Sequence, residues 1–210
     1  MSLALPTAEI RVPSPARIAN FPSTLEATDH ELMIAVRAGE VAKLGEIFER
    51  YQQRLYAFFV RMTNQPALSE DLVQVVFYRI LKYRHTYRDE GKFSAWIYHL
   101  ARKVAADHFR KNAKAAAPTD PSDLHHHPDS GLSPDHKAVV ADDLNLLRIA
   151  LARMPVEHRE VLVLSRLQNV EQKEIARLMD TTVGAVKVRV HRALKELRDV
   201  YFKIRREQAV

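Results

Sequence analysis

Apolar residues recur at three- and four-residue spacing through every long segment of this chain, and no sustained alternation appears anywhere, so the chain is predicted to be almost wholly helical. Only 5 Gly punctuate its 210 residues, too few for a turn-rich sheet architecture. The pattern separates into discrete helices. Asp29 reads as an N-cap for a first helix holding Leu32, Ile34, Ala35 and Val36 and ending around Gly39. Leu44, Ile47, Phe48, Tyr51, Leu55, Phe58, Phe59 and Met62 mark a longer second helix, which Pro66 stops near Asn64 and Gln65. Ser69 is placed to cap a third helix, with Glu70 and Asp71 at the positive end of its dipole. Its buried face is predicted to be Leu72, Val73, Val76, Phe77, Ile80 and Leu81. A polar loop from His85 to Lys92 leads to a fourth helix over about Phe93 to Lys111.

Two stretches lack any apolar period. Residues 1–28 carry prolines 6, 13, 15 and 22 and read as a flexible leader. Residues 114–140 hold prolines 118, 121, 128 and 134 and read as a flexible linker, which divides the chain into a helical domain at 29–113 and a second at 141–210. His125, His126, His127 and His136 fall in that linker. Consecutive histidines in a polar segment lack the fixed geometry and supporting shell of a metal site, so no metal is assigned. In the second domain Leu144, Leu147, Leu151 and Met154 make a helix face, Pro155 opens the next helix, and Val161, Leu162 and Leu164 complete a small core.

The stretch Glu171 to Arg198 carries the strongest chemical signal. Ile175, Ala176 and Met179 share one face of a short helix. After a break at Asp180, Thr181 and Thr182, a second helix places Val186, Val190, Ala193, Leu194 and Leu197 on its apolar stripe. The opposite side presents Gly184, Ala185, Val188, His191, Arg192 and Lys195, flanked by Lys187, Arg189 and Arg198. Small residues followed by long cations suit a helix entering a DNA major groove. From Gly184 to Arg206 the chain holds eight Lys or Arg against two Asp or Glu, a surplus of six that equals the net charge of the whole protein. So localised a surplus marks a directed polyanion-binding surface, whereas the plainer reading is a solvated helix with cations for solubility. The preceding helix and tight turn favour a helix-turn-helix.

A second basic face lies on the fourth helix. Phe93, Trp96, Ile97, Leu100, Ala101 and Val104 are expected inside, and Ala95, His99, Arg102, Ala106 and Arg110 outside, with Lys103, Tyr98 and Phe109 at the edges. Cations beside aromatic rings suit single-stranded nucleic acid, although the rings could equally pack on a neighbouring helix.

The same sequence excludes several classes. With zero Cys there is no disulfide, thiolate metal site or thiol switch. No apolar run approaches a membrane span, and no secretory signal pattern is present, so a cytoplasmic protein is expected. No phosphate-binding glycine loop, zincin motif or nucleophile elbow appears, and neither enzymatic activity nor a cofactor is assigned.

Four motifs stand in order: SEDLVQVVFYRILK (69–82), KFSAWIYHLARKVAADHFRK (92–111), ALARMPVEHREVLVLSRL (150–167) and KEIARLMDTTVGAVKVRVHRALKELR (173–198). Together they resemble the extracytoplasmic-function (group IV) sigma factors of bacterial RNA polymerase, within the sigma-70 family. The resemblance implies an all-α chain with a region 2 helical bundle and a region 4 helix-turn-helix joined by a linker. It implies a subunit that binds core RNA polymerase and directs initiation at promoter DNA in response to an extracytoplasmic or stress signal, held by an anti-sigma factor. Core polymerase would be met by Asp71, Gln74, Val75, Tyr78 and Arg79. Minus-ten DNA would be melted and held by Arg88, Lys92, His99, Arg102, Lys103 and Arg110. Minus-thirty-five DNA would be read by Gly184, Ala185, Lys187, Val188, Arg189, His191 and Arg192.

Three positions depart from the family pattern. Val75 stands where an acid is common, Asp180 where the turn often has glycine, and Val188 where a small polar residue is frequent. The competing class is a conventional helix-turn-helix regulator that binds operator DNA as a dimer.

Overall fold

The computed structural model describes residues 27–88, 92–115 and 134–208. Eight α-helices run through them: α1 Asp29–Ala38, α2 Leu44–Thr63, α3 Pro66–Tyr83, α4 Phe93–Ala115, α5 Pro134–Arg153, α6 Val156–Leu162, α7 Gln172–Leu178 and α8 Val183–Gln208. Short 3-10 turns follow α1 and α3, and a π-helical turn at Val163–Leu167 extends α6. There is no strand among the described residues.

Local chemistry fixes most boundaries. α1 starts one residue earlier than predicted: Thr28 is the N-cap and forms a capping box with Glu31. It ends on Gly39 at φ 115°, a left-handed conformation that glycine adopts without penalty. Asn64, at φ 59°, closes α2 as the prediction required. Ser69 does not cap α3. The helix begins at Pro66, whose ring presets the first helical φ, and the buried Ser69 hydroxyl donates to the Gln65 carbonyl at 2.6 Å. α5 begins at Pro134, inside the predicted linker; 116–133 and the leader to residue 26 lie outside the described residues, as do His125, His126 and His127.

Leu32, Met33, Ile47, Leu55, Phe58, Phe59, Ile80 and Ile97 are fully buried where α1 to α4 meet. Each such side chain contributes on the order of 1.5–3 kcal/mol on leaving water. In the C-terminal half Leu151, Met154, Val161, Leu162 and Leu164 pack with Ile175, Val186, Val190 and Ala193. These two sets form one continuous buried cluster, because α2 packs on α5 and α6 while α4 packs on α7. The predicted C-terminal face needs one change: Leu144 is 59% exposed and Leu146 takes its place, packing with Ala150 and Ile204. α8 extends past the helix-turn-helix so that Ile204 can do this, and Leu194 stays partly in water.

Candidate nucleic-acid interface

The helix-turn-helix is built as the sequence indicated. α7 ends at Leu178, and the chain turns through Asp180, whose φ of 47° places it in the left-handed region that a short polar side chain tolerates. Thr182 then accepts a hydrogen bond from the Ala185 N–H at 3.1 Å and starts α8. Ile175, Ala176, Val186, Val190 and Ala193 are buried beneath, which fixes the other face of α8 outward. Gly184, Lys187, Val188, Arg189, His191 and Arg192 are all exposed, and Ala185 is half-buried at the turn. None of Lys187, Arg189 and Arg192 has an ion pair among the described residues, so the reading face keeps its full positive charge. Val188, 49% exposed at its centre, offers an apolar contact of the kind that thymine methyl groups accept.

On α3, Asp71, Gln74, Val75 and Tyr78 are exposed on one stripe, with Tyr78 at 63%. The exposed stripe continues to Lys82, whose ammonium lies 6.0 Å from the Tyr78 ring centre and 5.5 Å from that of Tyr83. Beside it a groove of about 520 Å³ opens between α2 and α3, lined by Phe48, Gln52, Tyr56, Glu70 and Gln74. Arg79 turns aside from the stripe and pairs with Asp107 of α4 at 2.7 Å, which holds the Asp107 carboxyl below the usual carboxylate range. It ties two helices of the bundle together.

The predicted minus-ten residues are not gathered on one open face. Ala95 and Tyr98, expected outside or at the edge, are buried, and burial pushes the Tyr98 phenol up to about 12. The Tyr98 hydroxyl donates to Gln168 Oε1 at 2.6 Å, beyond the π-helical turn. Arg102 is half-buried and grips Glu160 of α6 with two nitrogens, at 2.8 and 3.1 Å, while its third donates to the Leu178 carbonyl. Lys92 pairs with Glu171, and Arg110 pairs with Asp107 at 2.6 Å. His99 and Lys103 line a cleft of about 340 Å³ with Phe109, Val156, Glu157 and Glu160. Burial, then Lys103 and Arg102, hold the His99 imidazole below its ordinary range. Arg88 is exposed just before residues 89–91, which lie outside the description, and Tyr87 beside it is anchored among His30, Phe93 and Trp96. Glu160, Gln168 and Glu171 were invisible as partners in the sequence, since each lies 58 or more residues from the group it holds.

Among the described residues no cluster of His, Asp and Glu is arranged to hold a metal, and no helix is long and apolar enough to cross a membrane.

Comparison with known proteins agrees with this geometry. The family model for Sigma-70 region 2 matches residues 47–115, and that for Sigma-70, region 4 matches 144–197. The chain is 31% identical over 155 residues to the ECF RNA polymerase sigma factor SigX of Bacillus subtilis (strain 168), covering 72% of this chain and 80% of that protein. It is 28% identical over 176 residues to the RNA polymerase sigma factor CarQ of Myxococcus xanthus, covering 82% and 97% respectively. Among solved structures, the sigma factor RpoE of Bartonella quintana, in complex with the anti-sigma factor NepR, superposes with a TM-score of 0.60 at 19% identity, over 74% of this chain and 94% of that one. CnrH, in complex with the cytosolic domain of CnrY, gives 0.56 at 20% identity over 80% and 94%. At such identities the structural likeness concerns the fold.

Proposed function

The chain belongs to the extracytoplasmic-function sigma factors of the sigma-70 family, subunits that direct promoter-specific transcription by RNA polymerase, and from that premise we propose how its surfaces divide the work. The α3 stripe of Asp71, Gln74, Val75 and Tyr78 docks on core polymerase, extended by Lys82 and Tyr83. The outer face of α4, with His99, Arg102, Lys103 and Arg110, together with Arg88 and Lys92 in the segment that precedes the helix, holds the melted minus-ten strand. α8 reads the minus-thirty-five duplex through Lys187, Val188, Arg189, His191 and Arg192.

One observation supports this division above the rest. Lys187, Arg189 and Arg192 stand exposed, in no ion pair among the described residues, on a helix fixed from behind by buried Val186, Val190 and Ala193. Duplex affinity then comes from phosphate neutralisation, and preference from base-edge contacts along the same helix. Catalysis remains with the polymerase, and the chain acts in the cytoplasm where the polymerase is. An anti-sigma factor restrains it until an extracytoplasmic or stress signal arrives. A conventional dimeric regulator is not favoured by the family assignment.

Run-off transcription tests the reading. Core polymerase with this chain should initiate at a defined start, and promoter thymines should become permanganate-reactive around minus ten. Tight operator binding by the protein alone, unchanged by core polymerase, would count against it.

A further inference from the structure

Val188 stands on the outward stripe of α8, 49% exposed and part of neither buried cluster. We propose that its isopropyl group reads the 5-methyl of one thymine on the floor of the major groove, so that Val188 fixes a thymine at one position of the minus-thirty-five element. The inference rests on the assignment of α8 to minus-thirty-five DNA.

Three observations carry it. Val186 and Val190, two residues to either side, are 0% and 3% exposed, and at about 100° per residue Val188 points roughly away from both. A β-branched side chain in that position loses rotamer freedom to the helix and fills no core, so the fold itself has no use for a valine there. Gly184, one turn earlier on the same stripe, keeps the helix slim where it would enter the groove. A Cβ added to it would meet nothing nearer than the Thr182 hydroxyl oxygen at 3.9 Å, and its φ lies outside the left-handed region, so neither packing nor backbone geometry within the described protein calls for glycine. Close approach of the helix backbone to a ligand does. Lys187 and Arg189, both exposed, leave the helix about 100° to either side of Val188. Cations that straddle the stripe in this way suit phosphates along both walls of the groove, which sets Val188 over its floor.

The floor offers a valine one kind of partner. Base edges in the major groove present hydrogen-bond donors and acceptors at every pair, and the apolar group among them is the thymine 5-methyl. Over any other base the side chain would strip water from a polar edge without bonding to it, whereas over thymine two apolar groups leave water together. One methyl group removed from water is worth about fourfold in affinity.

The test uses the holoenzyme, core polymerase with the full chain. Promoter duplexes randomised over the minus-thirty-five element are selected by the holoenzyme, and each thymine of the selected element is then replaced in turn by deoxyuridine, which differs only in lacking the methyl. Anisotropy titrations compare the parent chain with Val188→Ala, whose melting temperature should not fall, since the residue is exposed and alanine favours helix. The expected result is one thymine at which loss of the methyl weakens binding by the parent about fourfold and leaves binding by the alanine variant unchanged. If no thymine responds, or if the response is equal in the two chains, Val188 reads no methyl and the inference is overturned. Lys187→Ala with Arg189→Ala on the same duplexes then judges the underlying assignment. Weaker binding on every sequence would leave α8 as the minus-thirty-five helix without the thymine contact, and unchanged binding would bring that assignment down as well.

Discussion

The guanidinium of Arg159 reaches from α6 to the C-terminal end of α2, where it donates to the Met62 carbonyl, and its other terminal nitrogen serves the Ala152 and Met154 carbonyls at 2.6 and 2.9 Å. This buried cation has no carboxylate partner among the described residues. The negative ends of α2 and α5 balance it instead. Burial accordingly holds its pKa below the ordinary guanidinium range.

Arg159→Ala should therefore destabilise the protein by about 3 kcal/mol, since three carbonyls lose their donor and the halves lose a shared anchor. Arg159→Lys should recover only part of this, because one ammonium cannot span carbonyls on two helices. Urea denaturation followed by circular dichroism measures both. A loss in the alanine variant within about 0.5 kcal/mol, the usual surface value, would show that the anchor carries no weight.

Stability should fall as the solution becomes mildly acid. Burial, then Lys103 and Arg102, lower the pKa of His99 from 6.5, and burial, then Lys111, do the same for His108. Above 6.5 folded and unfolded chains are both neutral at these sites, so neither contributes. As pH falls through 6.5 the unfolded chain takes up protons that the fold resists, and stability is lost. Carboxylates whose pKa is lowered, such as Asp107, weaken the fold only at pH below about 5, so the windows are separate. Melting temperature measured from about pH 7.5 to about pH 5.5 should drop, and His99→Gln with His108→Gln should flatten the curve. An unaltered slope in the double variant would place the titrating groups elsewhere.

The sequence made visible whatever a single helix face or turn decides. Asn64 stopping α2, Asp180 taking the left-handed turn and Val188 facing outward all follow from periodicity and side-chain size. What periodicity leaves open is which neighbour covers a face. Tyr98 has an apolar body and a polar tip, so its position on α4 fits either a stacking surface or a packed seam, and only Gln168, 70 residues on, decides for the seam. Arg102 was legible as a cation on an outer face, but Glu160 as its partner was not. Leu144 and Leu146 sit two residues apart on one helix, and the late turns of α8 select the second.

Arg192→Ala should weaken minus-thirty-five binding and relax base preference. The side chain is exposed on the reading face of α8 and spends no hydrogen bond or ion pair within the described protein, so its donors are free for a base edge. A bidentate arginine–base contact discriminates by about 1–3 kcal/mol. Anisotropy titrations against a promoter duplex and single-base variants would read the loss. An equal loss on every sequence, with a salt slope lower by about one, would reassign Arg192 to a phosphate.

Asp71→Arg should abolish transcription while leaving the rest of the chain folded. Asp71 is exposed at one end of the α3 stripe, in no ion pair among the described residues, and far in sequence from the helix-turn-helix. Reversing its charge costs the fold little, since isolated surface substitutions usually stay within about 0.5 kcal/mol. At an interface the same reversal leaves like charges facing, which costs several kcal/mol and cannot be offset by neighbouring contacts. Tyr78→Ala should act in the same direction by removing the most exposed aromatic of the stripe, and with it the ring over which Lys82 lies. Co-migration with core polymerase on size exclusion and run-off transcription should fail together in both variants, while duplex binding by α8 and the melting temperature stay as in the parent chain. If polymerase still binds but transcription is lost, α3 acts after docking, and the core contact must lie on another face of the bundle.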